Sequence, residues 1–497
     1  MPQAPVQQPK PAPSSNPAAP AVPTVGDQLH ASAVVRAAIG QIIGELEAKS
    51  AQLTDVRPAR PENKQSYDDL MARATAVRGR GLLYPYIGSG IGNGALVELA
   101  DGSVKWDMIC GIGVHFFGRS DPGLAEAGLL SGLDDTLKHG NLSSNFEPYE
   151  FMEVLLREAG KNSKLKHAYL ATSGAMANEN ALKICYQKHA PAPRVIAFKD
   201  CFMGRSTTMA QIGDTPDYRQ GVPLSVLVDY MPFFDEFQAQ QVGLAKYIDG
   251  AVANLTEYFD RYPGQHACFI FELVQGEGGF NVGNRDFFKA LMDLCRARKV
   301  AIWDDEIQTF GRLPRMFAFE QFNLGEYVDV MTIGKMTQAC ATVWTGDYNP
   351  RGGLLSGTFT GEGVSFRMGQ QVIERLSSGG YYDSGAGNNG LIAQHHAAFR
   401  QHAQALIAKH PQWFPAVPGQ PELCGGIGGM MKFTPFGGVK DKINAVCKAC
   451  FEEGVILFYC GHGPYHIRML PPLGVMKLDQ WPRVFACIEK GLARAAS

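Results

Sequence analysis

The sequence predicts an α/β fold: a mostly parallel sheet with helices on both faces, followed by a smaller α+β unit. Two observations lead there. Through the middle of the 497-residue chain, apolar runs of strand length alternate with helical patterns; the runs are Ala168–Thr172, Arg194–Phe198, Cys268–Val274, Val300–Trp303 and Val328–Ile333. Strands that alternate with helices pair in parallel, and the helices then cover both faces. Beyond residue 378 the pattern changes to short, glycine-rich strands and two helices. With 45% hydrophobic and 19% charged residues, the chain can bury a sizeable core. At roughly 150 residues per domain, its length fits two or three domains plus tails.

Residues 1–26 are rich in Pro and Ala, with one Lys and no acid. Such a segment cannot bury enough apolar surface to offset its ordering entropy, so a disordered tail is predicted. It has neither the apolar core of a secretory signal nor the arginines of a mitochondrial presequence. Residues 27–113 form an N-terminal segment. A helix is predicted there from about Gln28 to Ser50, on the stripe Val35, Ile39, Ile42 and Leu46. The turn Ala100–Ser103 then joins two strand-like runs, Ala95–Leu99 and Val104–Met108. Residues 114–378 hold the alternating pattern as a large domain. Its clearest helices are Met176–Lys188 and Arg285–Lys299, the latter with Asn284 as N-cap. Residues 379–497 form the smaller unit: Cys424–Gly429, a strand, the helix Lys440–Gly454, two short strands and the helix Asp479–Ala496.

The charge balance is 46 basic to 48 acidic residues. That excludes a polybasic nucleic-acid surface as the main business of the chain. No apolar run approaches the roughly 18 residues of a transmembrane helix. Eleven scattered cysteines, an odd number, suit reduced thiols in a cytoplasmic protein better than a disulfide framework. Cys447 and Cys450 have CxxC spacing but lie in a helical pattern with no second pair, and Cys460 with His462 lacks further ligands, so no metal is expected. Gly90-Ile91-Gly92-Asn93-Gly94 imitates a dinucleotide loop, yet it leads into a strand and an Asp-Gly turn instead of a helix.

Ligands of open α/β sheets bind beyond the carboxyl ends of the strands. Ser173-Gly174-Ala175 follows the first run and opens a helix, a place where backbone N–H groups can meet a phosphate. Glu272 through Gly279 follows the third run and reads as acid/base machinery or as a polar turn. Asp304-Asp305-Glu306-Ile307-Gln308 follows the fourth and suits a cation as readily as anything else. Gly334-Lys335 follows the last; its lysine is solvated or forms a Schiff base. Each signal alone is weak. Together, a phosphate cradle, a carboxylate and a lysine at strand ends of one sheet are what pyridoxal phosphate needs.

These motifs, with Phe202-Met203-Gly204-Arg205, Thr358-Phe359 and Arg468, resemble the class III, or ω-type, aminotransferases of pyridoxal phosphate fold type I, over roughly residues 84–490. The resemblance implies a seven-stranded large-domain sheet, a homodimer with shared active sites, and transfer of an amino group from an ω-amino acid or diamine to 2-oxoglutarate. It makes Lys335 the Schiff-base lysine and proton carrier, and Asp305 the partner of the pyridinium nitrogen. Phe202 and Ile307 would sandwich the ring, and Gln308 would bond the ring hydroxyl oxygen. Ser173, Gly174 and Ala175 would hold the phosphate, joined by Thr358 of the neighbouring subunit, and Glu272 would support the site near the ring. Arg468 would bind the α-carboxylate of glutamate or 2-oxoglutarate, with Glu277 as its gate. Arg205 would take a distal carboxylate. Ile112 stands where ornithine aminotransferases carry a tyrosine, which disfavours ornithine. Met203 and Gly361-Glu362-Gly363 depart from the family's pattern. Aminomutases, epimerases and lyases share the fold and are the alternative.

Overall fold

The computed structural model describes residues 22–383 and 389–496. Seven strands form its central sheet. From edge to edge they are Leu165–Ala171, Cys340–Thr345, Val330–Ile333, Ala301–Asp305, His266–Phe271, Arg194–Phe198 and Leu227–Met231. Cys340–Thr345 runs antiparallel to both of its neighbours, and the other pairs are parallel. The turn before it is too short for a crossover, so the chain must double back. Lys335 sits in that turn.

Burial on both faces explains the continuous apolar runs. Alternate residues separate cleanly between two layers. Val195, Ala197, Cys268, Ile270, Ala301, Trp303 and Val330 pack with Ala181, Leu182 and Cys185 of the helix Gly174–His189. Ile196, Phe198, Phe269, Phe271, Ile302 and Met331 face the other way, toward Phe287, Phe288 and Leu291 of the helix Arg285–Ala297. Asn284 caps that helix as predicted, accepting from the Asp286 and Phe287 N–H groups.

Two smaller sheets flank the centre. Gly88–Asn93, Leu96–Leu99 and Val104–Asp107 form an antiparallel meander, so the Gly90–Gly94 run lies on a hairpin and not beneath a helix. Val455–Ile456 adds to it in parallel, tying the two ends of the chain together. Cys424–Ile427, Met430–Phe433, His466–Met469 and Phe458–Cys460 form an antiparallel sheet that carries Arg468.

Residues 1–21, most of the predicted tail, lie outside the described residues. The helix Val25–Ala31, capped by the Thr24 hydroxyl, begins within the segment predicted as a tail. The one helix predicted from Gln28 to Ser50 is two, parted at Ser32, whose hydroxyl caps Ala33–Ser50. Serine suits that cap because its oxygen satisfies a free N–H of the first turn. Ile39 is buried but Ile42 is 53% exposed; the helix packs against Val25–Ala31, Pro122–Ser131 and Gly88–Asn93.

All eleven cysteines are free thiols. Cys447 and Cys450 are buried in the helix Lys440–Glu452, where Cys450 packs against Gly491. Among the described residues, no group of three or more His, Cys, Asp and Glu side chains is arranged to hold a metal. None of the described helices is long and apolar enough to cross a membrane.

Candidate active site

The strand ends converge on one site. Ser173 caps the helix Gly174–His189, its hydroxyl accepting from the Met176 N–H at 3.2 Å. The first N–H groups of that helix remain free to meet an anion. Gly174 leaves the space they need: a Cβ there would lie 2.9 Å from Ile307 Cδ1. The Phe202–Arg205 turn closes on the same helix. Gly204 holds φ at +122°, and a Cβ on it would lie 2.7 Å from that of Ala175.

Strand alternation sends Asp305 to the Trp303 face and Asp304 to the opposite one. The three consecutive acids therefore do not form a cation site. Asp304 is fully buried with both oxygens unpaired, and burial pushes its carboxyl well above the usual range. Asp305 meets Asn178, a residue absent from the sequence reading. The Asn178 amide donates to Asp305 Oδ2 at 2.8 Å and to the Met203 carbonyl at 2.8 Å. The Ile307 N–H donates to Asp305 Oδ1 at 2.9 Å. Burial raises the Asp305 carboxyl to about 6, and these donors oppose the rise. Glu272 is also buried and accepts from the Gly276 and Phe202 N–H groups at 3.0 and 3.2 Å. Burial, with the Asp305 charge nearby, raises it to about 8. Near neutral pH, Asp305 is the anion of the two and Glu272 is the acid.

Lys335 follows the strand Val330–Ile333 with φ +52°, a left-handed conformation unusual for a non-glycine residue. Burial lowers its ammonium below the ordinary lysine value, while Glu277 and Asp305 push it back up. Its turn is tied to a second strained loop. The Gln338 amide donates to the Val114 carbonyl at 3.0 Å. Just before Val114, residues 110–113 all have positive φ. Ile112 sits there, 38% exposed. Asp107 braces the start of that loop by accepting from the Ile109 and Cys110 N–H groups.

Arg468 is fully buried and grips Glu277 through two bonds, Nη1–Oε1 at 2.7 Å and Nη2–Oε2 at 3.1 Å. Burial would raise the Glu277 carboxyl, but Arg468 holds it below the usual glutamate range. Gln308 lies 3.5 Å from Arg468 Nη1. The Glu277 loop is clamped from the small sheet: the Gly461 N–H donates to the Glu277 carbonyl and Lys432 Nζ to the Gly279 carbonyl. Arg205 is exposed, with its guanidinium over the Tyr218 ring.

Thr358 stands apart. It is exposed, and its loop is bonded to Asn141 and to the His139 carbonyl. The departure at Gly361–Glu362 forms a short antiparallel pair of strands with Lys138–His139, joined by a Lys138–Glu362 ion pair. Met203 is buried and uses its carbonyl to fix Asn178. Asn178 lies three, four and seven residues before Ala181, Leu182 and Cys185. It is therefore a polar residue within a buried helical face, a signal present in the sequence.

This donor set fits pyridoxal phosphate: a helix N-terminus cleared of side chain, an ionised carboxylate with fixed donors, and a lysine held below its ordinary basicity. Residues 89–490 match the aminotransferase class-III family. A 4-aminobutyrate aminotransferase of Mycobacterium bovis is 28% identical over 433 residues, covering 81% of this chain and 90% of that protein. An acetylornithine aminotransferase of Methanocaldococcus jannaschii is 30% identical over 252 residues, 49% of this chain and 56% of that protein. Among solved structures, a lysine aminotransferase from M. tuberculosis superposes with a TM-score of 0.72 at 21% identity, covering 86% of this chain and 99% of that one.

Proposed function

Because the chain belongs to the class-III aminotransferases, which are pyridoxal-phosphate-dependent enzymes of fold type I, we propose that it moves the amino group of an ω-amino acid or diamine to 2-oxoglutarate, giving an aldehyde and glutamate. The Glu277–Arg468 pair carries this reading. A buried arginine is a carboxylate receptor, and here the Glu277 carboxylate occupies it. With Glu277 in place, the site accepts an amine with no charge at that end. With Glu277 swung aside, Arg468 takes the α-carboxylate of the oxo acid. One site then serves both substrates.

Pyridoxal phosphate, when bound, supplies an aldehyde and a ring that accepts electrons. In this reading Ser173, Gly174 and Ala175 hold its phosphate, and Thr358 reaches it from a second copy of the chain. Phe202 and Ile307 flank its ring and Gln308 bonds its hydroxyl oxygen. Asp305 keeps the ring nitrogen protonated, while Glu272, as the neutral acid, fixes the Phe202 turn. Lys335 Nζ anchors the aldehyde and carries the proton that leaves the substrate carbon; its lowered basicity suits a group that must shed and regain a proton. Arg205 binds a carboxylate at the far end of the donor, and Ile112 leaves no hydroxyl for the α-amino group of ornithine.

The domain limits follow as 27–113, 114–378 and 379–497, with two copies assembling into a dimer. Eleven free thiols favour the cytoplasm. In the test, Lys335→Ala abolishes turnover, and the wild-type enzyme consumes 2-oxoglutarate one for one with the amine. Amine turnover without loss of 2-oxoglutarate would mark a mutase, epimerase or lyase instead.

A further inference from the structure

Tyr218 lies in the short helix Pro216–Arg219, outside every motif noted in the sequence. Its ring is the hub of a three-part stack. The Arg205 guanidinium lies 3.5 Å from its centroid, and Phe202 meets it edge-on at 5.6 Å and 88°. The turn that carries it is pinned across the site to the small unit, by Lys440 to Asp217 at 3.5 Å and by Thr215 to His462 at 3.4 Å. Burial, and then the Glu277 charge, raise the Tyr218 phenol above the ordinary tyrosine value.

Arg205 is exposed, and its contacts among the described residues are with the Phe202 and Tyr218 rings, not with an acid. A free arginine of this kind loses much rotamer freedom when it binds. Face-on stacking removes that freedom in advance. It also leaves the in-plane N–H edge open, and carboxylates bind guanidinium in that plane through two parallel bonds. We propose that Tyr218 is a positioning residue for Arg205, and through it a determinant of donor choice: it aims the guanidinium edge at a terminal carboxylate on the amino donor. The proposal rests on the reading of Arg205 given above.

The test compares two donors of equal chain length in the amine half-reaction of the holoenzyme: 5-aminopentanoate, with a terminal carboxylate, and pentylamine, without one. Tyr218→Leu is expected to raise the apparent dissociation constant for 5-aminopentanoate by about fivefold, with the limiting rate held within about twofold. Pentylamine is unaffected, and Tyr218→Phe, which keeps the ring, restores the wild-type value. Calorimetric binding of pentanoate weakens in parallel in Tyr218→Leu, a readout that needs no turnover. Three results overturn the proposal: no change with 5-aminopentanoate, equal losses for both donors, or Tyr218→Phe behaving as Tyr218→Leu. Arg205→Leu separates this from its premise. If that variant keeps the preference for 5-aminopentanoate, the reading of Arg205 itself fails. If it loses the preference while Tyr218→Leu keeps it, only the role of Tyr218 fails.

Discussion

Asp305 and Glu272 share one buried site, yet the groups around them differ, and that difference fixes which is charged. Asn178 gives Asp305 a side-chain donor that Glu272 lacks. A hydrogen bond to a charged group is worth about 1.5–3 kcal/mol, or roughly one to two pKa units. Asn178→Ala therefore raises the Asp305 carboxyl above about 6 in the protein without cofactor, by roughly one pH unit, read from an infrared titration of its carboxylate band. A titration that stays put would leave Asn178 merely structural. Glu272 makes the opposite kind of prediction, one of stability. Its folded value, about 8, lies above the ordinary glutamate value of 4.5, so the native state keeps its proton longer than the unfolded state. That stabilisation is fully present below pH 4.5 and is lost as pH rises toward 8. Glu272→Gln without added cofactor should flatten this fall, by an amount on the order of a few kcal/mol, read from unfolding curves at pH 5 and 8.

Secondary-structure elements set limits on what the sequence reveals. Strand-end motifs are legible because each is contiguous and follows a buried apolar run. Tyr218 and Gln338 are not, and Asn178 shows only as a polar residue on a buried helical face, because their partners come from other elements. Leu227–Met231 escapes notice as a strand because Asp229 interrupts it; the charge is tolerated only because Arg194 and His266 pair with it. The parity of Asp304 and Asp305 is readable once a strand is assumed, but which face holds the site is not. Ser32 splits a helix that apolar spacing alone runs together. The helix Gly174–His189 offers the sharpest element test. Alanine is a better helix former than glycine by up to about 1 kcal/mol, so in the protein without cofactor Gly174→Ala recovers part of the strain it introduces. Its methyl group would nevertheless crowd Ile307, at a cost of about 1–3 kcal/mol if the side chain must move. Cofactor affinity is expected to fall about tenfold in a spectral titration, and Ile307→Val, which removes Cδ1, should restore part of it. Equal affinity in all three proteins would show that Ile307 does not border the cradle.

In the proposed reading assembly completes the site, because Thr358 is exposed in a loop bonded to Asn141 and to the His139 carbonyl. The surface around it is unusual for an isolated chain. Leu142 is fully exposed, and Phe146, Tyr149 and Phe359 are more than half exposed. Their two loops are joined, the Asn141 N–H donating to the Gly357 carbonyl and its amide to the Ser356 hydroxyl. Scattered exposed apolar residues need no explanation, but a contiguous patch rimmed by polar groups marks a protein contact. A second copy placed here would bury the patch and bring its Thr358 toward the neighbouring site. Disrupting the patch should therefore cost two things together. Leu142→Asp with Phe359→Asp is expected to sediment as a monomer with unchanged circular dichroism. It should also bind pyridoxal phosphate about tenfold more weakly, the effect of losing one hydroxyl bond to a charged phosphate. Thr358→Ala in the intact dimer should reproduce the second loss without the first. A monomer that keeps full cofactor affinity would sink the shared site, and a dimer indifferent to both aspartates would place the interface elsewhere on the surface.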